Sequence, residues 1–253
     1  DNTIPVYMSS QTDSVTLHWT TMLNLPVSLS GYISNGNDSI PSQQLQNHAN
    51  TQLLLVDTVY PATSGALACP GTPIAYQFYV NPKPFVHDTT LTICSGTAFI
   101  LAPVNSQPYN IVPDSTTYTW IVSDNANVTG DSSMISPQNT VQQELVNNTN
   151  QQQAVVYHVI PKSGVLGNCV GDTFTVTVLV NPTPVFPSLY DTICSGTAFN
   201  VTPIDNPPLL IVPNGTLYAW GIPDMPDGTY GGIAQADTNH IFGTLTNTTY
   251  NSI

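Results

Sequence analysis

The side chains that could support catalysis in this sequence are few and widely spaced. A hydrolase of the serine or cysteine type needs a nucleophile, a base and a group that orients the base, all within hydrogen-bond reach. No Gly-x-Ser-x-Gly, His-Glu-x-x-His or phosphate-binding glycine loop occurs. The five histidines share no motif: His18, His48, His87, His158 and His240. The sequence therefore predicts a protein that is not an enzyme and carries no cofactor.

Two pairs of aspartates stand in predicted loops, where they could contribute to a calcium site. Ca²⁺ takes six to eight oxygen ligands, carboxylates among them. The pairs are Asp124 with Asp131 and Asp224 with Asp227. Asp and Asn also form turns by bonding their own backbone, and we favour that interpretation. The four aspartates therefore remain weak candidates for a metal site.

The overall charge excludes two classes of partner. The 253 residues include 2 Lys and Arg against 15 Asp and Glu, which gives a formal net charge of −13. A nucleic-acid binder needs several cations to neutralise phosphates, and an interfacial helix needs a cationic face. No run in the sequence approaches the roughly 20 apolar residues that span a bilayer. We therefore expect no nucleic-acid partner and no membrane insertion.

A period of 100 residues runs through the chain. The segment Thr92–Phe99 recurs letter for letter at Thr192–Phe199. Further pairs keep the same offset: Cys69 and Cys169, Trp120 and Trp220, Pro82 and Pro182. An earlier and more diverged copy places Trp19 opposite Trp120. Self-similarity at a fixed period indicates a tandem array of structural units.

The period predicts three units. The second is complete at 84–183, whereas 1–83 lacks the opening Thr-Ile-Cys-Ser-Gly segment and 184–253 lacks the closing strand. We interpret the chain as a window from a longer repetitive protein; naturally degenerate terminal units are the alternative. The linkers are Asn81–Pro84 and Asn181–Pro184. Because proline fixes φ and restricts the preceding residue, both are predicted to be semi-rigid spacers.

Alternation of apolar and polar residues predicts β-strands in each unit. The predicted strands are Ile74–Val80, Thr116–Val122, Val155–Val159 and Phe174–Val180. No window has the i, i+3, i+4, i+7 pattern of a convincing helix. Units of roughly 100 residues with several short strands and one buried Trp predict an all-β protein of tandem immunoglobulin-like β-sandwiches. The predicted core residues are Trp19, Trp120, Trp220 and Tyr157.

The four cysteines leave two disulfide pairings open. Within the complete unit, Cys94 and Cys169 could close a loop, which the chain-entropy model values at about 4 kcal/mol. Cys69 and Cys194 would then pair with cysteines outside this chain. The alternative joins Cys69 to Cys94 and Cys169 to Cys194 across the junctions. We favour the first pairing because each repeat then carries its own cross-link. No Cys-x-x-Cys occurs, which disfavours metal-bound thiols.

The motifs of the second unit, taken in order, resemble a known family. Besides Thr92–Phe99 they are Thr117–Trp120, Val128–Gly130, Leu145–Thr149, Val156–Pro161 and Phe174–Pro182. They look like the PKD-like, immunoglobulin-like repeats of very large surface proteins of Bacteroidota. The resemblance implies a secreted cell-surface protein of adhesin or filament type, of a kind commonly exported by the type IX pathway. The first unit departs from it at Asp57, which stands where the second unit has Tyr157.

A second pattern, Asp followed by Ser or Thr, looks like the O-glycosylation acceptor of Bacteroidota. The hydroxyl residues concerned are Ser14, Ser39, Thr58, Thr89, Ser115 and Thr192. Chance occurrence is the alternative, because the chain is rich in Ser and Thr. The pattern therefore offers six candidate sites for a sugar modification.

Taken together, these patterns favour a structural function outside the cell. We expect a segment of an extracellular stalk, filament or adhesin, with neighbouring repeats as its partners and copies of itself as partners in a fibre. The alternative is a module that binds surface glycans or proteins through aromatic side chains such as Tyr60, Tyr79 and Tyr190. A third interpretation is an accessory region of a secreted enzyme whose catalytic domain lies elsewhere.

Overall fold

The computed structural model describes residues 3–10, 14–22 and 26–249. Within these ranges the regular structure consists of β-strands, and no residue lies in a helix. Each sheet among the described strands is formed within one segment, 6–80, 89–181 or 198–247. The prediction of an all-β protein is therefore confirmed.

The first unit contains short strands in three small sheets. They are β1 (Val6–Tyr7), β2 (Val15–Thr21), β3 (Leu29–Ser30), β4 (Asn35–Asn37), β5 (Ser39–Ile40), β6 (Gln46–Asn47), β7 (Leu53–Thr63) and β8 (Ile74–Val80). The largest sheet has the order β4-β2-β7-β8, while β1 pairs with β5 and β3 with β6. All of these pairs are antiparallel. Trp19, Ile40 and Val59 form its small buried core.

The second unit is a sandwich of two sheets. Its strands are β9 (Thr89–Cys94), β10 (Thr97–Leu101), β11 (Thr117–Ser123), β12 (Val128–Thr129), β13 (Met134–Gln138), β14 (Val141–Asn147), β15 (Gln153–Lys162) and β16 (Phe174–Asn181). One sheet has the order β13-β11-β15-β16-β9 and the other the order β10-β14-β12. Two packed, mostly antiparallel layers around a buried Trp are the immunoglobulin-like architecture. The predicted sandwich fold is therefore confirmed.

The core of this sandwich follows from the period of two along its strands. In β16, Phe174, Val176 and Val178 are buried and the residues between them are half-buried. The facing sheet contributes Val141 and Leu145, which are also fully buried. Successive side chains of a strand point to opposite faces, so this alternation fixes which face meets the other sheet.

The opening and closing strands of the second unit pair in parallel. β9 lies beside β16 with Thr89 opposite Val176 and Cys94 opposite Asn181. Parallel strands need a long connection, and here the rest of the unit supplies it. The remaining pairs in the two sheets are antiparallel. The sequence patterns did not predict this pairing, because alternation identifies a strand but not its neighbour.

The third unit has shorter pairings. Its strands are β17 (Ala198–Val201), β18 (Tyr218–Trp220), β19 (Thr229–Tyr230), β20 (Gln235–Thr238), β21 (Ile241–Thr244) and β22 (Thr246–Asn247). They form the two-stranded sheets β17-β21, β18-β20 and β19-β22. The described residues include no counterpart of β15 or β16 in this unit. Trp220 is half-exposed, whereas Trp19 and Trp120 are buried.

Candidate functional site

A chain of hydrogen bonds joins the tryptophan and tyrosine of the second unit. Nε1 of Trp120 donates to the Ser132 carbonyl at 2.9 Å, and Nε2 of Gln143 donates to the same oxygen at 2.7 Å. The Tyr157 hydroxyl donates to Oε1 of Gln143 at 2.8 Å. Burial and the nearby carboxylate of Asp131 raise the pKa of Tyr157, so its hydroxyl stays protonated. The network is neutral and serves to fix the core.

The first unit replaces this network with a buried carboxyl group. Asp57 is fully buried, with the Thr21 hydroxyl 2.7 Å from Oδ1 and Nε2 of Gln43 3.3 Å from Oδ2. The Thr21 oxygen also lies 2.7 Å from the Ile33 carbonyl. One hydroxyl proton cannot serve both acceptors, whereas a protonated Asp57 can donate to Thr21. Burial accordingly raises the pKa of Asp57, although the hydrogen bonds from Thr21 and Gln43 act to lower it.

An asparagine at the same place in the first and second units connects the two layers. In the second unit, Nδ2 of Asn147 donates to the carbonyls of Gln151 at 2.7 Å and Val180 at 2.9 Å. Its Oδ1 accepts from the backbone and hydroxyl of Thr149. Asn47 repeats the arrangement with Thr51 and Val80. The sequence analysis gave this residue no role, although its recurrence at the repeat period was the available signal.

The structure leaves all four cysteines as free thiols. Cys94 lies opposite Asn181 at the end of β16, whereas Cys169 precedes Phe174 at its beginning. The strand between Phe174 and Asn181 is about 23 Å long at the usual rise per residue. A disulfide needs Cα atoms within about 7 Å of each other. The favoured Cys94–Cys169 cross-link is therefore not formed, because the parallel pairing puts the two residues at opposite ends of the sheet.

The alternative pairs across the junctions are also absent. Cys69 and Cys169 occupy equivalent turns, in which their backbone N–H groups donate to Oγ1 of Thr63 at 2.9 Å and Oγ of Ser163 at 2.8 Å. Cys194 is exposed and lies outside the strands. Pairing of Cys69 and Cys194 with cysteines outside this chain stays a prediction.

At the first junction, the second unit packs on the linker. Pro82 and Pro84 are buried. A Cβ atom at Gly167 would clash with the Asn81 side chain, and one at Gly171 would clash with the Pro84 carbonyl. The loop that carries these glycines therefore approaches the linker as closely as backbone allows, and only glycine fits there.

An ion pair adds to the first junction. Nζ of Lys83 lies 2.6 Å from Oδ1 of Asp172, with both side chains mostly exposed. An exposed pair of this kind contributes at most about 1 kcal/mol, because water screens it. The close backbone packing of the linker is therefore the main restraint on its geometry.

The second junction is more open. Pro184 is exposed and Pro182 half-buried. A hydrogen bond of 2.8 Å from Nδ2 of Asn150 to Oδ2 of Asp205 connects the second and third units directly. The Thr183 hydroxyl donates to the Ser95 carbonyl at 3.2 Å.

The comparison with protein families gives a match to the middle of the chain. Residues 91–184 match the family model described as PKD-like domain. We refer to the middle unit as the PKD-like unit for this similarity. The match covers β9 from its third residue through β16 and the second linker. The search of curated proteins gives no match.

Among solved structures, the crystal structure of the human desmocollin-1 ectodomain is similar at 10% sequence identity and a TM-score of 0.31. The alignment covers 91% of this chain and 53% of that chain, so this chain spans about half the length of the matched structure. At this score the likeness carries no argument about function.

The candidate catalytic and metal-binding residues lie apart from one another in the structure. His18 bonds Asn37 and His48 bonds Ser30, while His87 packs against Phe85. His158 is exposed on β15 of the PKD-like unit, and His240 bonds Asn239. No group of three or more His, Cys, Asp or Glu residues in the described ranges could hold a metal ion.

The four aspartates that are candidate calcium ligands do not form such a group either. Asp124, Asp224 and Asp227 are exposed. Asp131 is half-buried, and its Oδ2 atom is buried without a hydrogen-bond partner among the described residues. Only Asp227 lies in a turn, and both the metal role and the turn role of these aspartates stay predictions.

The six candidate glycosylation residues differ in exposure. Ser14, Ser115 and Thr192 are exposed, and the first two have positive φ angles of 75° and 60°. The others are half-buried within strands: Ser39, Thr58 and Thr89. Modification at any of them stays a prediction, and the exposed three offer a transferase the best access.

Aromatic side chains are exposed at several places. Tyr60, Tyr79 and Tyr190 are all exposed, Tyr190 almost completely. The sequence analysis did not predict a cluster near the start of the PKD-like unit, where the His87 ring lies 4.9 Å from Phe85 and 5.6 Å from Tyr109. None of the described residues belongs to a helix long and apolar enough to cross a bilayer.

Proposed function

We propose that the chain is a non-catalytic structural segment of an extracellular stalk, filament or adhesin. The observation that carries the proposal is the first junction, where Pro82 and Pro84 are buried and the loop 163–172 of the next unit packs on the linker. Because this loop packs directly against the linker, one unit is restrained from folding back on the other. A row of such units therefore keeps the distance between its two ends long.

The PKD-like unit is also arranged to bear load. β9 begins the unit and β16 ends it, and the two strands run parallel over six residue pairs. A force that separates the ends of the unit therefore pulls the two strands past each other. All hydrogen bonds of the ladder then resist together, rather than opening one at a time. This geometry supports a mechanical role.

Cell-surface location, type IX export and an origin in Bacteroidota belong to the same proposal. They are supported by the recurring motifs and by the match of residues 91–184 to the PKD-like family. Antibodies raised against the folded chain should label intact cells of the source organism. Labelling that requires lysed cells would contradict the extracellular location.

The mechanical part is tested by pulling the chain in a single-molecule force experiment. Ile93→Pro removes one N–H group and the proper backbone angle from β9, so the unfolding force of the second unit should fall. Val104→Pro, at an exposed position outside the strands, is the matched control. An unchanged force in Ile93→Pro would show that the parallel pair bears no load.

The spacer part is tested by small-angle X-ray scattering. Replacing Pro82 and Pro84 with glycine should shorten the mean end-to-end distance and broaden its distribution, since glycine frees the backbone. Pro226→Gly, in an exposed loop of the third unit, should leave the scattering unchanged. Equal distributions for the linker variant and the parent chain would contradict a stiff junction.

The alternative function, binding of surface glycans or proteins, is favoured by one observation. Phe85, His87 and Tyr109 present a small exposed aromatic surface, with Tyr109 69% exposed. Exposed apolar patches often mark interaction sites. A glycan array should then give hits that Tyr109→Ala removes and that Tyr230→Ala, a tyrosine of similar exposure, retains. An array without hits would reject this alternative for glycans.

A further inference from the structure

The sequence contains two Asn-Gly dipeptides, and the structure holds them in different environments. They are Asn35–Gly36 in the first unit and Asn214–Gly215 in the third. An asparagine followed by glycine is prone to cyclise, because glycine has no Cβ to hinder the approach of its nitrogen to the asparagine side chain. Whether a given pair reacts depends on the freedom of its backbone and on the hydrogen bonds of the glycine N–H group.

Asn214 and Gly215 form the centre of an exposed turn. The Pro213 carbonyl accepts hydrogen bonds from the Thr216 backbone at 3.1 Å and from the Thr216 hydroxyl at 2.6 Å. Gly215 has a φ of 81°, and a Cβ placed there would meet no heavy atom within 4 Å beyond its chain neighbours. Among the described residues, the Asn214 side chain and the Gly215 N–H group have no hydrogen-bond partner. The groups that would react are therefore free of competing contacts.

This turn belongs to the repeat and does not depend on the closing strands. In the complete second unit, the Pro113 carbonyl accepts the same two bonds from Thr116, at 3.2 Å and 2.6 Å. Asp114 and Ser115 at the centre of that turn are also exposed, although the closing part of the unit is present and Gly164 lies against Ser115. The exposure of the corresponding pair in the third unit therefore follows from the turn itself.

The other pair, Asn35–Gly36, is held in strand β4. Gly36 stands opposite Trp19 of β2, and a Cβ at Gly36 would lie 2.7 Å from the Trp19 ring. Hydrogen bonds of 2.8 Å flank this residue pair on both sides, from the Thr21 N–H to the Ser34 carbonyl and from the Asp38 N–H to the Leu17 carbonyl. Because bonded pairs alternate along an antiparallel ladder, the Gly36 N–H donates to the Trp19 carbonyl. Its nitrogen is therefore occupied and its backbone is fixed.

We infer that Asn214 is a site of spontaneous deamidation and that the fold protects Asn35 from the same reaction. The Gly215 nitrogen attacks Cγ of Asn214 and forms a C–N bond. Its proton leaves with Nδ2 as ammonia, and a cyclic succinimide remains. Water then adds to either ring carbonyl and breaks the C–N bond there. Opening at Cγ gives aspartate, whereas opening at the main-chain carbonyl gives isoaspartate.

Either product adds a carboxylate to the turn. Aspartate gives the third unit the residue type that Asp114 supplies in the second. Isoaspartate adds a methylene group to the main chain between Pro213 and Thr216, whose hydrogen bonds close the turn. Because ammonia is lost, the modified fraction rises with the age of the molecule. This inference goes beyond the proposed structural function and does not depend on it.

Mass spectrometry of peptides from the folded chain, kept at neutral pH for increasing times, tests the inference. Pepsin is the suitable protease, since the chain has only two Lys and Arg residues. Asn214 should deamidate at least about tenfold faster than Asn35, the matched control with the same following residue. Unfolding in urea should bring the two rates together, because it releases the Gly36 N–H group. Equal rates in the folded chain, or an Asn214 that stays intact there, would overturn the inference.

Two glycine variants test the cyclisation step. Gly215→Ala should slow the reaction of Asn214 at least about tenfold, because its Cβ hinders the nitrogen and a φ of 81° disfavours alanine. Gly221→Ala, which fills open space in the same unit at an ordinary φ, should leave the rate unchanged.

The isoaspartate product provides a second measurement. An isoaspartyl methyltransferase with a labelled methyl donor should label the peptide that contains residue 214 of the aged chain. A deamidated peptide without label would indicate direct hydrolysis of the side chain, and an unchanged rate in Gly215→Ala would indicate the same. Either result would overturn the cyclisation at this turn.

Discussion

At the scale of single residues, one asparagine holds the two layers of a unit together. The side chain of Asn147 is 1% exposed and satisfies two carbonyls and one backbone N–H group. Asn147→Ala should therefore lower the free energy of unfolding of the second unit by about 3 kcal/mol, since it leaves these buried groups without partners. The exposed Asn139→Ala should change it by less than about 0.5 kcal/mol.

Hydrogen exchange of the β14 and β16 amides measures this loss for the second unit alone. A cost below about 1 kcal/mol would mean that the asparagine follows the fold without stabilising it.

The buried Asp57 predicts a pH dependence that only the first unit shows. Because burial raises the pKa of Asp57, the folded unit holds a proton that the unfolded chain releases. The stability is therefore greatest below the ordinary pKa of aspartate, falls as pH rises towards the raised value, and is level above it. Asp57→Asn should remove this slope and stabilise the unit at neutral pH. Exchange of the β7 amides across this range measures it.

The internal control is the second unit, where Tyr157 stands at the equivalent position. Its hydroxyl has a raised pKa and stays protonated throughout the acidic range, so β15 amides should not report this slope. A slope retained in Asp57→Asn would show that another group is responsible.

At the scale of elements, β16 shows how alternation becomes a core. Val176 is fully buried and Thr177 is half-buried on the other face. Val176→Thr should cost about 2 kcal/mol, because it buries a hydroxyl at almost unchanged volume. Thr177→Val should cost nothing measurable. Urea titrations followed by hydrogen exchange in β16 compare the free energies of unfolding of the two variants. Equal losses would mean that the two faces of the strand do not differ in burial.

At the scale of the whole molecule, composition and fold together protect the backbone from tryptic proteases. Only two basic residues are present, Lys83 and Lys162. Lys83 precedes Pro84, a bond that trypsin cleaves poorly, and Lys162 lies in β15 opposite Thr117 of β11. The native chain should therefore survive trypsin, while the urea-unfolded chain should be cut after Lys162. Mass spectrometry of the digest identifies the cleavage sites directly. Rapid cleavage of the native chain after Lys162 would indicate that β15 opens.

The net charge also affects the molecule as a whole. With a net charge of −13, copies of the chain repel each other at low salt, and this repulsion is screened over about 10 Å at 0.1 M ionic strength. Any association between copies of the chain should therefore strengthen when salt is added.

The amino-acid sequence by itself determined the features that depend on short-range periodicity and on composition. Alternation identified the strands β8 and β16, because side chains of a strand change face at every residue. The excess of acidic residues argued against nucleic-acid and membrane partners, and the lack of catalytic motifs argued against an enzyme. The repeat related the units to one another without any structure.

Only the tertiary structure decided which strands and side chains meet. The parallel pairing of β9 with β16 separates Cys94 from Cys169 and overturns the cross-link that spacing suggested. The packing of the two layers likewise gives Asn147 its partners. These contacts join residues far apart in the chain, and local periodicity carries no information about the partner of a strand.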